Sequence, residues 1–106
     1  MKVENNNTNA LETLENLKAK LIREEREKII PEEREKIKTI EDVCYNSGDL
    51  VILDMFRKAE KLIEEKDKDK LQYFHNELIE TAKQFKNEEY HYEAEIVSDI
   101  AHALLL

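Results

Sequence analysis

Residues 50–85 read LVILDMFRKAEKLIEEKDKDKLQYFHNELIETAKQF, and this stretch decides the fold. Its first half places Ile52, Met55, Phe56, Ala59, Leu62 and Ile63 at spacings of three and four, the period of one helical face. Its second half repeats the pattern with Leu71, Phe74, Leu78, Ala82 and Phe85. At 100° per residue these five positions fall within an arc running from about 300° through zero to about 20°. Between the halves, Lys66, Asp67, Lys68 and Asp69 interrupt the apolar period. They predict a tight solvated turn, with Asp67 or Asp69 capping the next helix. Two amphipathic helices on a short connection form a helical hairpin.

The remainder of the chain extends this reading. Only one Gly and one Pro occur in 106 residues, 41% of which are hydrophobic. Sheet proteins need both residues at turns, while helices are weakened by both. The expected fold is therefore all-α, a small four- or five-helix bundle of antiparallel hairpins, with dimerisation as one way to complete it. Residues 1–8, rich in Asn, are expected to form a flexible tail before one helical domain over 9–106. Approximate helices are expected at 10–29, 31–46, 50–65, 69–86 and 88–105. Asn9, with Glu12 three positions on, is the favoured first cap. Ala10, Leu14, Leu17 and Leu21 then form an apolar stripe. The pairs of helices share no aligned repeat residues, so a solenoid is not supported.

Three boundaries follow from single residues. Asn46, Ser47, Gly48 and Asp49 give the strongest turn signal, with glycine suited to the left-handed position after a helix and Asp49 to capping the next. Pro31 followed by Glu32 and Glu33 suits the first turn of a new helix, yet the apolar phase of Ile30, Ile37, Ile40 and Cys44 also allows one kinked helix. Around Asn87 the phase itself conflicts. An unbroken helix from Leu71 would carry Tyr92, Ile96 and Ile100 on its apolar face, but also Glu89 and Glu93. Unpaired charges there are costly. Either a break near Asn87 resets the phase, or the exposed seam is completed by a partner.

Composition narrows function more than it defines it. The formal charge is -8, and residues 87–106 hold five carboxylates (Glu88, Glu89, Glu93, Glu95, Asp99) without a lysine or arginine. That field opposes direct nucleic-acid binding and suits a basic protein partner. The single Gly48 excludes Gly-rich phosphate loops, dinucleotide fingerprints and a nucleophile elbow. Ser98, Asp99 and His102 lack the pocket and oxyanion donors that would make a triad. The lone Cys44 sits beside an apolar stripe and reads as a buried, inert thiol. Met1 to Asn9 contain no hydrophobic targeting segment, and no apolar run reaches bilayer length, so cytoplasmic residence without membrane contact is expected.

The candidate partner-binding residues are Glu88, Tyr90, His91, Tyr92, Glu95, Asp99, Leu104 and Leu105. Tyrosines among carboxylates offer contact area with a polar tip, as interfaces use them. A protein-interaction or regulatory module without enzymatic activity or cofactor is the leading expectation. The rivals are a structural homo-oligomer, an acidic mimic of nucleic acid that occupies a basic protein, and a metal-binding bundle or bundle enzyme. The last would use Glu88, His91, Glu95 and His102, whose offsets of three, four and seven place them on one helical face. That face points roughly 90–160° away from the apolar centre, and no other helix supplies a Glu-x-x-His element. His75, at the edge of the fourth apolar face, reads as a core-boundary histidine.

Overall fold

The computed structural model describes residues 6–106, and among these it contains helices and no strand. The α-helices are α1 (Asn6–Lys28), α2 (Ile40–Ser47), α3 (Leu50–Glu65), α4 (Lys68–Asn87) and α5 (His91–Leu104), with a 3-10 helix at Pro31–Lys36. They form a slab measuring 45 × 37 × 17 Å. The predicted all-α bundle is what the chain forms.

Helix α1 begins earlier than its polar sequence suggests, since Asn6 to Thr8 already have helical backbone. Part of the expected tail is thus helix, while residues 1–5 lie outside the described residues. Asn9 is no cap; it sits within α1, where its carbonyl accepts the Thr13 hydroxyl at 2.8 Å. The stripe Ala10, Leu14, Leu17 and Leu21 is buried as its spacing predicts. Lys18 ties this helix to α3 through Glu60.

Pro31 is a true break. Ile30 is held extended at φ -67°, ψ 150°, as the proline ring requires of the residue before it. The expected helix over 31–46 is divided, because the Pro31–Lys36 helix stops at Ile37, which is extended at φ -108°, ψ 95°. Thr39 then starts α2 with a capping box. Its hydroxyl accepts from Asp42 N at 3.1 Å, and the Asp42 carboxylate accepts from Thr39 N at 3.0 Å. Ile37 still reaches the core, but from an extended segment, which is why the helical phase seemed continuous across it.

The other turns use left-handed residues. Gly48 ends α2 at φ 84°. Asp49 does not cap α3 with its side chain; its carboxylate instead accepts the Ser47 hydroxyl at 3.5 Å. Lys66 ends α3 at φ 60°, and Asp67 caps α4 by accepting from Asp69 N and Lys70 N at 3.1 and 3.2 Å.

Helix α4 stops at Asn87, and the break resolves the phase conflict. Glu89 adopts φ 70°, Glu89 N donates to Lys86 O at 3.0 Å and Tyr90 N to Phe85 O at 2.8 Å. This pair of bonds is a Schellman motif, which satisfies carbonyls the helix end leaves free. Helix α5 therefore starts at His91 rather than 88. Its Ala94, Ile96, Val97, Ile100, Ala101, Ala103 and Leu104 are buried against α1, α3 and α4. The alanines let neighbouring backbones come close, and Phe56, Leu14, Ile63 and Leu78 fill the space around α5.

Candidate functional site

With most of its circumference buried, α5 offers solvent chiefly the face of His91, Glu95 and His102, with Tyr92 also exposed on the side towards α1. Ser98 and Asp99 are half-exposed beside that face. One edge of this face borders a groove of about 330 Å³ along α4, where Ile79 and Ala82 form an apolar floor and Lys83, Lys86, His91 and Glu95 a charged rim. Among the described residues, neither Glu95 nor Asp99 has a cationic group within ion-pair distance. Burial pushes the Asp99 carboxyl above its ordinary range, and repulsion from Glu95 adds to this despite opposing contributions from Lys20 and His102. The face therefore carries negative charge that the fold itself does not neutralise.

The remaining predicted residues separate. Glu88 is exposed at the end of α4, 3.4 Å from the Gln84 amide that donates to it. Tyr90, on the turn, packs edge-on against Phe85 with ring centroids 6.1 Å apart and planes at 81°, yet remains 55% exposed. Tyr92 turns the other way, towards α1. Its hydroxyl donates to Glu24 Oε1 at 3.0 Å, and Lys28 Nζ lies 4.7 Å from its ring centroid. Burial, followed by that hydrogen bond, raises the Tyr92 hydroxyl far above its ordinary range, so it stays a donor. Leu104 is 3% exposed and belongs to the core, while Leu105 is half exposed just past the helix end. Of the predicted residues, Glu88, Tyr90, His91, Glu95 and Leu105 are exposed and Asp99 half-exposed, while Tyr92 is tied to α1 and Leu104 lies in the core.

Glu88, His91, Glu95 and His102 do not assemble as a metal centre, and no group of three or more His, Cys, Asp or Glu among the described residues has suitable geometry. The cause is the Schellman turn: the offset from 88 to 91 implied one helical turn, but the left-handed Glu89 takes Glu88 out of register with α5. His75 is half-buried at the edge of the α4 apolar face, as a boundary histidine would be, with Nδ1 3.2 Å from the Asn76 side-chain oxygen.

A second polar cluster escaped the sequence reading. A cavity of about 160 Å³ between α1, α2, α3 and α5 is bounded by Glu25, Lys28, Cys44, Asp49, Tyr92 and Glu93. Glu25 is only 8% exposed; Asn46 Nδ2 donates to its Oε2 at 2.6 Å, and Lys28 Nζ lies 3.9 Å from its other oxygen. Its position was nevertheless visible, because Glu25 continues the Leu14, Leu17, Leu21 stripe at a spacing of four. Cys44 is buried as expected, and its thiol is pushed up to about 11 by burial and then by nearby Asp49 and Glu41. Such a thiol holds almost no thiolate near neutral pH and is a poor nucleophile.

No helix is long and apolar enough among the described residues to cross a membrane. Comparison of the chain with protein-family models, curated proteins and solved structures found no match.

Proposed function

We propose that the protein is a protein-interaction module that docks a basic partner on the outer face of α5 and the adjoining Tyr90 corner. The observation that carries this reading is the pair Glu95 and Asp99, neither within ion-pair distance of a cation among the described residues, on the exposed outer face of α5. A lysine or arginine brought by a partner would relieve their mutual repulsion, and complementary charge would speed encounter. Tyr90 adds exposed aromatic area whose orientation is already fixed by Phe85, so less freedom is lost on docking. A rigid α5, held on three sides, presents these groups in fixed positions.

Affinity capture from the native host, with wild-type protein and a Glu88→Lys/Glu95→Lys variant, tests the proposal. Both positions are exposed, so the variant is expected to keep its helical circular dichroism and thermal midpoint. The wild type should retain a basic protein that elutes as salt is raised, and the variant should not. Equal recovery by both proteins would remove α5 as the docking face.

A further inference from the structure

We propose that a cleft between the second half of α1 and the Pro31–Lys36 helix binds a short acidic peptide segment of another protein. The cleft encloses about 500 Å³ and is lined by Ala19, Ile22, Arg23, Arg26, Glu27 and Arg34. Three arginines thus converge in a chain of net charge -8. Among the described residues, none of the three has a carboxylate within ion-pair distance.

Two of them are held in place without spending their charge. Arg34 Nε donates to Arg26 O at 2.8 Å, tying the 3-10 helix to the last turns of α1. Arg26 Nη1 donates to Ile37 O at 3.3 Å. Each bond uses one of a guanidinium's five N–H donors and leaves the rest to a ligand. Arg23 makes no such bond and stands exposed on the same α1 face, three residues before Arg26. Guanidinium forks match carboxylates in bidentate geometry, and side chains fixed beforehand lose little freedom on binding.

The walls select the ligand class. Ala19 and Ile22 provide apolar area for an aliphatic side chain next to the charged groups, which suits a peptide mixing acidic and aliphatic residues. A nucleic-acid backbone carries evenly repeated charge and needs a long basic track. Here Glu27 lies in the cleft itself, and Glu32, Glu33 and Glu35 surround Arg34 in sequence. The attraction is therefore local, sufficient for one or two carboxylates. This cleft shares no residue with the α5 face, so either surface can fail without the other.

The test is fluorescence polarisation of the full chain with the capped, fluorescein-labelled peptide Glu-Leu-Glu-Asp-Leu-Glu, alongside its Lys-for-acid counterpart. Saturable, salt-sensitive binding of the acidic peptide alone is expected. Arg23→Glu should weaken it about tenfold or more, and Glu27→Gln should tighten it several-fold. Arg23 supports no contact in the fold, and Arg23→Ala gives a milder variant, with circular dichroism reporting that both remain helical. Absence of saturable binding, or unchanged binding by Arg23→Glu, overturns the proposal. Displacement by inorganic phosphate as readily as by unlabelled peptide also overturns it, in favour of a simple anion site. So does a concentration-dependent dimer that Arg23→Glu abolishes, which would assign the cleft to the acidic face of a second copy.

Discussion

The Phe85 and Tyr90 rings meet edge to face at 6.1 Å across the turn that separates α4 from α5. They occupy the two positions whose side chains close a Schellman motif, one before and one after the left-handed residue. Here that residue is Glu89 at φ 70°. An L side chain in this region costs about 1–2 kcal/mol, and glycine avoids most of that. The motif is held by its two backbone bonds and by the aromatic pair rather than by the preferred residue.

Glu89→Gly should accordingly stabilise the fold by about 1 kcal/mol, after allowing for the greater freedom glycine gives the unfolded chain. Thermal unfolding would register this as a rise of about 4–8 °C. An unchanged or lower midpoint would show that the Glu89 side chain contributes something its geometry does not reveal.

The capping box at Thr39 makes a second prediction. Thr39→Ala removes the hydroxyl acceptor and should cost about 1 kcal/mol. Its partner Asp42 has a carboxyl held below the ordinary 3.8, first by the backbone N–H groups of Lys38 and Thr39. A lowered folded value means that the Asp42 contribution is present above 3.8 and is lost as pH falls through the folded value. Asp42→Asn should therefore lower stability at neutral pH, and urea titrations should show the gap narrowing in acid.

At the α1–α2 contact, Asn46→Ala leaves the nearly buried Glu25 without its 2.6 Å hydrogen bond. The expected loss is about 1–3 kcal/mol. Pairing it with Glu25→Leu should restore much of that loss, because an apolar side chain on this stripe needs no donor. A double-mutant cycle by urea unfolding measures the coupling; strictly additive effects would contradict it.

The α5 face makes a prediction about stability as well. Asp99 is held above the ordinary 3.8 by burial first and by Glu95 second. For a raised carboxyl, the associated stability is complete below 3.8 and declines as pH rises through the folded value. Asp99→Asn should thus unfold later than wild type near neutral pH, with the difference vanishing near pH 3. Denaturation midpoints across that interval check the sign.

Regular apolar spacing made α3, α4 and the α1 stripe legible, and Gly48 and the Lys66–Asp69 stretch marked two turns correctly. The conflict at Glu89 and Glu93 likewise located the end of α4. Spacing failed where chain direction changed without glycine. Ile37 is buried from extended backbone, so its agreement with a helical phase was accidental. The Thr39-to-Asp42 spacing is that of a capping box, and it marks the start of α2 more faithfully than the apolar phase does. On α5, His91, Glu95 and His102 share an exposed face with half-exposed Asp99, whereas Tyr92 turns towards α1. Glu88 was misjoined because counting offsets cannot register a left-handed residue. For Leu104, beside the apolar arc, spacing allows either the core or an interface, and it is contact with helices distant in sequence that buries it.

Helix α5 touches α1, α3 and α4, yet it is the last of these helices to be synthesised. Until it emerges, the apolar stripes of three finished helices share an unfilled centre. Completion of the core must therefore wait for α5, and until then those apolar stripes are exposed surface that favours promiscuous association. The charged residues that alternate with those stripes along α1 to α4 oppose such association.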